Sequence, residues 1–250
     1  MDGKTSIRNA VARVAALRQQ AVGRTGLANA VSEIKHLQAR RFKGTYADLL
    51  QTAQYAPAAQ FFLDELYSDK DYSERDAQFS RIAGALERIF PEAVVHTAVA
   101  LAQLHVLTEE LDVSMAEHWL AHPGATETIR YINAWQAVGR RSDRDQQLAI
   151  TLKVGTELDS LTLKPGLRTM LRLMRRPADL AGLGALQRFL ESGFDTFASM
   201  GKQTGAVSNF LTLVKTRESK LIDRLFDVSD IDCQTTVRGL LNPKPLYALA

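Results

Sequence analysis

Apolar residues recur every three or four positions along most of the chain. In the first segment Ile7, Val11, Val14 and Leu17 fall on one stripe, and similar stripes follow in later segments. This period is typical of amphipathic α-helices. A sustained alternation of β-branched and polar residues, which would indicate strands, is missing from the sequence. The pattern therefore predicts an all-α fold of about nine or ten helices.

The longest uninterrupted helical pattern runs from about residue 91 to residue 120. Pro91 suits the first turn of a helix, and His122-Pro123-Gly124 ends the pattern. The segment is rich in small and apolar residues, so we expect a central and largely buried helix. The other helices should pack around it in a single compact domain over residues 1–226.

The last segment, residues 227–250, has a different pattern. It contains Pro243 and Pro245, and its apolar residues show no clear period. We predict an irregular tail that lies on the body or docks on a neighbouring protomer through Leu246-Tyr247-Ala248-Leu249.

Composition indicates a globular chain without a membrane span. Hydrophobic residues make up 46% of the sequence and charged residues 24%. No apolar run approaches the roughly 18–20 residues of a transmembrane helix, and the N-terminus lacks the apolar core of a secretory signal. The single cysteine, Cys233, suits a reducing compartment. We therefore expect a protein of the bacterial cytoplasm.

Charge is unevenly distributed along the sequence. Residues 1–43 carry a net charge of +7, residues 44–125 carry −9, and residues 126–226 carry +6. These blocks either pair as neighbouring helices or form a bipolar surface for a protein partner or for self-association. The basic segments are poor in aromatic residues, which disfavours a nucleic-acid partner.

Residues 61–67 read Phe-Phe-Leu-Asp-Glu-Leu-Tyr. With Asp64 in place of a glutamate, this segment resembles the signature of the bacterial FFLEELY-motif proteins, and residues 101–112 and 182–194 resemble the same family. The resemblance covers most of the chain up to about residue 226. It implies membership of that family and assigns no activity, cofactor or catalytic residue.

On a helix, the aromatic residues of this motif form an apolar face that cannot also hold two carboxylates. At least one of Asp64 and Glu65 should therefore face solvent or an arginine. We interpret the motif and the segment after it as a structural lock between acidic residues and arginine. The alternative is that Asp64, Glu65 or Asp76 points into a cleft shared with His105. Tyr67 is a further candidate for lining a ligand site.

Three candidate residues share one face of the long helix. His105, Glu109 and Asp112 are spaced at i, i+4 and i+7. A histidine with two carboxylates can bind a metal or act as an acid–base pair. The structural alternative is a buried histidine hydrogen-bonded to Glu109 or to a neighbouring helix.

Cofactor signals are weak. No histidine follows His122, which disfavours a di-iron site built from four helices. Haem needs only one axial histidine, so His96 and His105 stay open as ligands, although no cofactor is favoured. Phosphate-binding glycine loops and a Gly-x-Ser-x-Gly elbow are also missing from the sequence.

A basic segment precedes the predicted helix at residues 143–160. Arg140, Arg141 and Arg144 could clamp an anionic group at this helix N-terminus. The alternative is an ordinary solvated helix start.

The sequence is compatible with two classes of function. The leading hypothesis is a non-enzymatic binding or scaffold protein whose helical groove takes a protein partner or a small apolar ligand. The alternative is an enzyme or a haem- or metal-binding protein that uses the face of His105, Glu109 and Asp112.

Overall fold

The computed structural model describes residues 2–67, 70, 72–227 and 231–243, with the backbone alone for residues 86–89. All regular structure in these residues is helical, with no strand among them. Twelve α-helices and one 3₁₀ turn, Leu49–Gln51, are present in this part of the chain. The helices are α1 Gly3–Gly23, α2 Leu27–Thr45, α3 Ala56–Glu65, α4 Ser73–Ile89, α5 Glu92–Ala121, α6 Glu127–Val138, α7 Arg141–Thr162, α8 Leu167–Leu173, α9 Arg175–Leu180, α10 Gly184–Met200, α11 Ala206–Asp227 and α12 Ile231–Leu241.

The all-α prediction is confirmed, and the long helix is present as α5. The predicted number of nine or ten helices was too low for two local reasons. Pro177 has no N–H to donate to Leu173, which separates α8 from the short helix α9. Residues 231–241 form α12 where the sequence suggested an irregular tail. The proposed docking segment, residues 246–249, lies outside the described residues.

The expectation of irregular structure was wrong for residues 231–241, because these residues contain a short apolar stripe. Cys233, Val237 and Leu241 are spaced four residues apart, and all three are buried. This spacing places them on one face of α12. A cysteine behaves as a small apolar residue when buried, so it completes the stripe.

The chain divides into two compact units. Unit 1 comprises Met1–Leu17, Lys70–Glu109 and Gln146–Val214. Unit 2 comprises Arg18–Asp69, Glu110–Asp145 and Lys215–Ala250. Four helices, α1, α5, α7 and α11, have residues in both units. No helix in the described part of the chain has the length and hydropathy that crossing a bilayer requires.

Two apolar clusters are found among the described residues of unit 1. Ile7 of α1 packs with Ala83 of α4 and with Ala98 and Ala102 of α5. Three of these four residues are alanines, which let helices approach closely. The second cluster joins the end of α7 to α8 and α10, and it is formed by Leu161, Leu167, Leu171 and Phe194.

Polar contacts within unit 1 fix α4 against the start of α10. The side-chain oxygen of Gln78 accepts a hydrogen bond from the backbone N–H of Leu186 over 2.9 Å. This bond satisfies one of the N–H groups that a helix N-terminus leaves unpaired. Arg81 donates to the carbonyl of Gly182 over 2.6 Å, and Gly182 has φ +66°, a left-handed value that favours glycine.

Within unit 2, α2 packs closely against α12. A Cβ added to Gly44 would lie 2.1 Å from the carbonyl oxygen of Leu240 and 2.8 Å from its Cα. The obstruction is backbone, which cannot rotate away as a flexible side chain can. Glycine at position 44 is therefore required by the distance between the two helices.

We predict that Gly44→Ala destabilises the protein by at least about 1–3 kcal/mol, because the added methyl group overlaps the α12 backbone. Gly239→Ala is the matched control, since it lies inside α12 with no atom within 4 Å of its added Cβ. Alanine at this control position should raise stability by about 0.5–1 kcal/mol. Urea unfolding of both variants measures the difference, and equal stabilities would contradict the packing described here.

Candidate functional site

The buried charges of unit 2 meet around Arg41. Arg41 on α2 and Glu218 on α11 are both buried, and Arg41 Nη1 donates to Glu218 Oε1 over 2.6 Å. The hydroxyl of Tyr46 donates to the same oxygen over 2.8 Å. Charge-assisted bonds of this kind are stronger than neutral ones. We call Arg41, Tyr46, Tyr67, Tyr131 and Glu218 the Arg41 cluster.

Helix periodicity brings both charged residues inside unit 2. The buried stripe of α2 contains Ile34 and Leu37, and Arg41 continues its spacing. On α11, Glu218 precedes the buried Leu221 and Leu225 at i+3 and i+7. Each charge therefore occupies a position that the pattern would assign to an apolar side chain.

The surroundings of Arg41 and its three tyrosine neighbours shift the pKa values of these four side chains. Burial disfavours the charge on Arg41, but the charge of Glu218 together with the neighbouring tyrosines outweighs that effect, so the pKa of Arg41 lies above its ordinary value. Burial, followed by the charge of Glu218, raises the pKa of Tyr46 and raises the pKa of Tyr67 to about 12. Burial also raises the pKa of Tyr131. All three tyrosines are therefore neutral near pH 7.

The residue 61–67 motif closes one side of the cluster. The ring of Phe42 stacks on Tyr67 with centroids 4.5 Å apart, and it lies 6.4 Å from the ring of Phe62. The Arg41 guanidinium lies 5.4 Å from the centroid of Tyr67. A cation at this distance from an aromatic face is attracted to it. The motif thus supplies aromatic contacts to a buried cation.

The two carboxylates of the motif are only partly covered. Asp64 and Glu65 are both half-buried at the end of α3. Both also take part in polar or electrostatic contacts. The structure therefore places neither of them in a fully buried position.

A second buried arginine, Arg144, lies in the same unit. Arg144 Nη2 is 3.0 Å from the sulfur of Met115, and its guanidinium lies 4.1 Å from the Trp135 ring centroid. Burial lowers the pKa of Arg144, and the charge of Asp112 opposes that shift. Two sequence candidates, Asp112 and Arg144, therefore influence each other inside unit 2.

The histidine candidate His105, on α5, belongs to unit 1. His105 Nε2 lies 3.0 Å from Asp76 Oδ2, so two sequence candidates are in direct contact. Tyr72 approaches His105 edge-on, with ring centroids 6.5 Å apart. The Arg75 guanidinium lies 3.9 Å from the Tyr72 ring centroid. Glu109 is also buried in unit 1, whereas Asp112 belongs to unit 2.

Arg140 and Arg141 contact carboxylates of the chain itself. Arg140 pairs with Asp143 and, over 3.5 Å, with Glu110. Arg141 pairs with Asp223 and Asp227 over 2.5 Å each. A hydrogen bond from Arg141 to Asp227 raises the pKa of Arg141. The proposed anion clamp therefore shares its arginines with several intramolecular ion pairs.

Unit 1 contains a groove with a volume of about 730 Å³. Residues from α1, α5 and α7 and from the segments just before α1 and α5 form its walls. The lining residues are Asp2, Gly3, Ser6, Phe90, Glu92, Val95, His96, Val99, Ala100, Gln103 and Lys153. We call this feature the unit 1 groove.

The groove combines an apolar floor with a polar rim. Val95 and Ala100 are buried, whereas His96, Gln103 and Lys153 are exposed. His96 Nε2 lies 3.5 Å from Glu92 Oε1, and Lys153 pairs with Glu157 over 3.8 Å. Among the described residues, no three histidine, cysteine, aspartate or glutamate side chains come together as a metal site requires.

The family model described as Domain of unknown function (DUF8198) matches residues 17–231. The chain belongs to this family. The matched range covers every residue of the Arg41 cluster in this DUF8198 protein. Three residues that line the unit 1 groove, Asp2, Gly3 and Ser6, precede the matched range. Comparisons with curated proteins and with solved structures gave no match. Membership of the DUF8198 family by itself assigns no activity.

Sequence reasoning missed most of the Arg41 cluster. Arg41, Tyr46, Tyr131 and Glu218 were not candidates, and only Tyr67 was. A usable signal was present, because Arg41 and Glu218 each continue an apolar helical stripe of the DUF8198 chain. A charge in that register needs a buried partner. The identity of the partner, 177 residues away, does not follow from the pattern.

We predict that Arg41→Met lowers the free energy of unfolding by about 3–5 kcal/mol, because Glu218 keeps a buried charge without its cation. Arg40→Met is the matched control on the same helix. Arg40 pairs with Glu127 at the surface, so its loss should cost less than about 1 kcal/mol. Chemical denaturation measures both values. Equal losses at the two positions would contradict a stabilising role for the buried pair.

Proposed function

We propose that this DUF8198 protein is a non-enzymatic binding protein whose unit 1 groove holds a small apolar ligand. The observation that carries this proposal is the groove itself. Its volume of about 730 Å³ lies within the range of roughly 300–1,000 Å³ that is typical of small-molecule sites.

The lining residues favour an uncharged amphipathic molecule. Phe90, Val95 and Val99 offer apolar contacts, and Gln103 offers both donors and an acceptor. The charged members of the lining carry both signs, so they select neither an anion nor a cation. A ligand with an apolar body and one hydrogen-bonding end would complement the apolar lining residues and the side-chain amide of Gln103.

Binding is favoured over catalysis by how the groove side chains are engaged. Ser6 is the one hydroxyl among the described lining residues, and it donates to the carbonyl of Asp2 over 3.0 Å. A catalytic serine would instead donate to a base such as His96. Asp2 Oδ1 accepts the N–H of Thr5 over 2.7 Å and so caps α1. Hydrogen bonds from the side chain and then the backbone of Thr5 lower the pKa of Asp2.

A second candidate function uses the contact between His105 and Asp76. A histidine held 3.0 Å from a carboxylate is a plausible acid–base pair. Neither residue lines the unit 1 groove. This enzyme hypothesis therefore requires a substrate site separate from the groove, and metal or haem ligation at His105 would be a variant of it.

Two finer assignments accompany the proposal. The sequence of residues 61–67 supports a bacterial FFLEELY-motif protein. The single cysteine, Cys233, is a buried thiol, which supports a reducing compartment such as the cytoplasm. A protein partner or self-association remains part of the scaffold version of this hypothesis.

We predict that Gln103→Trp weakens binding of Nile red, an uncharged solvatochromic dye, by at least about tenfold. The indole at position 103 would occupy the mouth of the groove. A fluorescence titration of the purified chain measures the affinity, and circular dichroism checks that the helices persist.

Gln146→Trp is the matched control, because residue 146 is an exposed glutamine on α7 that does not line the groove. The control should bind the dye with unchanged affinity. An absence of dye binding by the unmodified chain, or an equal loss in both variants, would contradict the proposed function.

A further inference from the structure

Unit 1 presents three strongly exposed leucines within eighteen residues. Leu163 is 75% exposed, Leu173 72% and Leu180 91%. Single exposed apolar residues are common, but three in one short segment are not a typical soluble surface. Together with Lys164, Arg172 and Arg176, we call them the α8–α9 surface.

Helix geometry places two of these leucines on the same side. Met174 keeps a helical backbone between α8 and α9, its N–H donates to Met170, and its carbonyl accepts from Ala178. The segment therefore continues nearly as one helix, interrupted where Pro177 lacks an N–H. Residues seven apart, such as Leu173 and Leu180, then share a face.

The opposite face of the same segment is anchored in the core. Leu167, Leu171 and Ala178 are buried, and the carbonyl of Leu171 accepts a hydrogen bond from Gln187 Nε2 over 2.6 Å. Arg175 forms a two-pronged contact with Glu191 of α10. Because one face is held, the other presents its side chains without prior rearrangement.

The exposed side is strongly basic. Residues 163–180 contain five lysines and arginines but one acidic residue, Asp179. Two of the five cations are used within the unit, since Arg168 pairs with Asp195 and Arg175 with Glu191. Lys164, Arg172 and Arg176 are exposed and form no ion pair with a described residue. On the helix, Arg172 and Arg176 lie along one side of the stripe of Leu173 and Leu180.

We propose that the α8–α9 surface binds an anionic lipid bilayer. Leucines would enter the boundary between headgroups and acyl chains, while the arginines reach lipid phosphates. Arginine side chains suit this position because the aliphatic stem packs against apolar groups while the charged head stays in the polar layer.

Charge complementarity and residue type favour lipid over a protein partner. Beyond the two ion pairs, the exposed charges of this segment are three cations and one carboxylate, Asp179, and this net positive balance matches a negatively charged leaflet. The apolar anchors are all leucines, which are under-represented among the energetically dominant residues of protein interfaces but common on the apolar face of membrane-surface helices. This membrane-binding surface is distinct from the unit 1 groove, and no residue is common to the two sets.

The test is co-sedimentation of the full chain with vesicles. The chain should pellet with phosphatidylcholine vesicles that contain phosphatidylglycerol, and it should stay in solution with phosphatidylcholine alone. Raised salt should weaken the interaction, because the charge contribution is screened.

Two pairs of substitutions separate the apolar and charged contributions. Leu173→Ser with Leu180→Ser should weaken partitioning at least about tenfold. Arg172→Gln with Arg176→Gln should weaken it about fivefold for each arginine removed. Neither pair should change Nile red affinity, which separates this proposal from the groove proposal.

Matched controls change the same residue types elsewhere. Val22→Ser with Ile231→Ser removes two other highly exposed apolar side chains, and Lys202→Gln with Arg238→Gln removes two other exposed cations. Both controls should bind anionic vesicles normally.

Failure of the unmodified chain to pellet, equal losses in the controls, or binding that persists in the leucine variant would each overturn the proposal. Capture of an acidic protein without vesicle binding would overturn it in favour of a protein partner.

Discussion

The buried ion pair between Arg41 and Glu218 is the interaction on which the organisation of unit 2 depends. Two charges taken out of water are costly, and good geometry and further hydrogen bonds must offset that cost. Here Arg41 and Tyr46 both donate to one oxygen of Glu218. Because the paired residues are 177 positions apart, the contact also selects which parts of the chain meet.

Aromatic residues extend the effect of this pair. Phe42 contacts the rings of Tyr46, Phe62 and Tyr67, and Arg41 lies over Tyr67. Through Phe62 and Tyr67, the sequence motif at residues 61–67 thus contributes aromatic contacts around the buried arginine. The two features proposed to bind ligands, the groove and the α8–α9 surface, both belong to unit 1.

Periodicity predicted the all-α fold and the α5 helix, because apolar residues repeated every three or four positions over a long segment indicate a helix rather than a strand. The number of helices was harder to predict, because it depends on local features. Pro177 separates α8 from α9, and the short apolar stripe that contains Cys233 forms α12. Some candidate residues were predicted from the sequence. They are Tyr67 of the Arg41 cluster, the neighbours Asp112 and Arg144, and the contacting pair Asp76 and His105. Arg41 and Glu218 were missed because helical spacing shows that a position is buried but does not reveal its distant partner.

A double-mutant cycle on Arg41 and Glu218 tests the central structural claim most directly. Unfolding free energies of Arg41→Met, Glu218→Met and the combined variant give the coupling between the two side chains. We predict that the combined variant is much less destabilised than the sum of the single losses, with a coupling of at least about 2–3 kcal/mol. Additive losses within about 0.5 kcal/mol would contradict the claim that this pair organises unit 2.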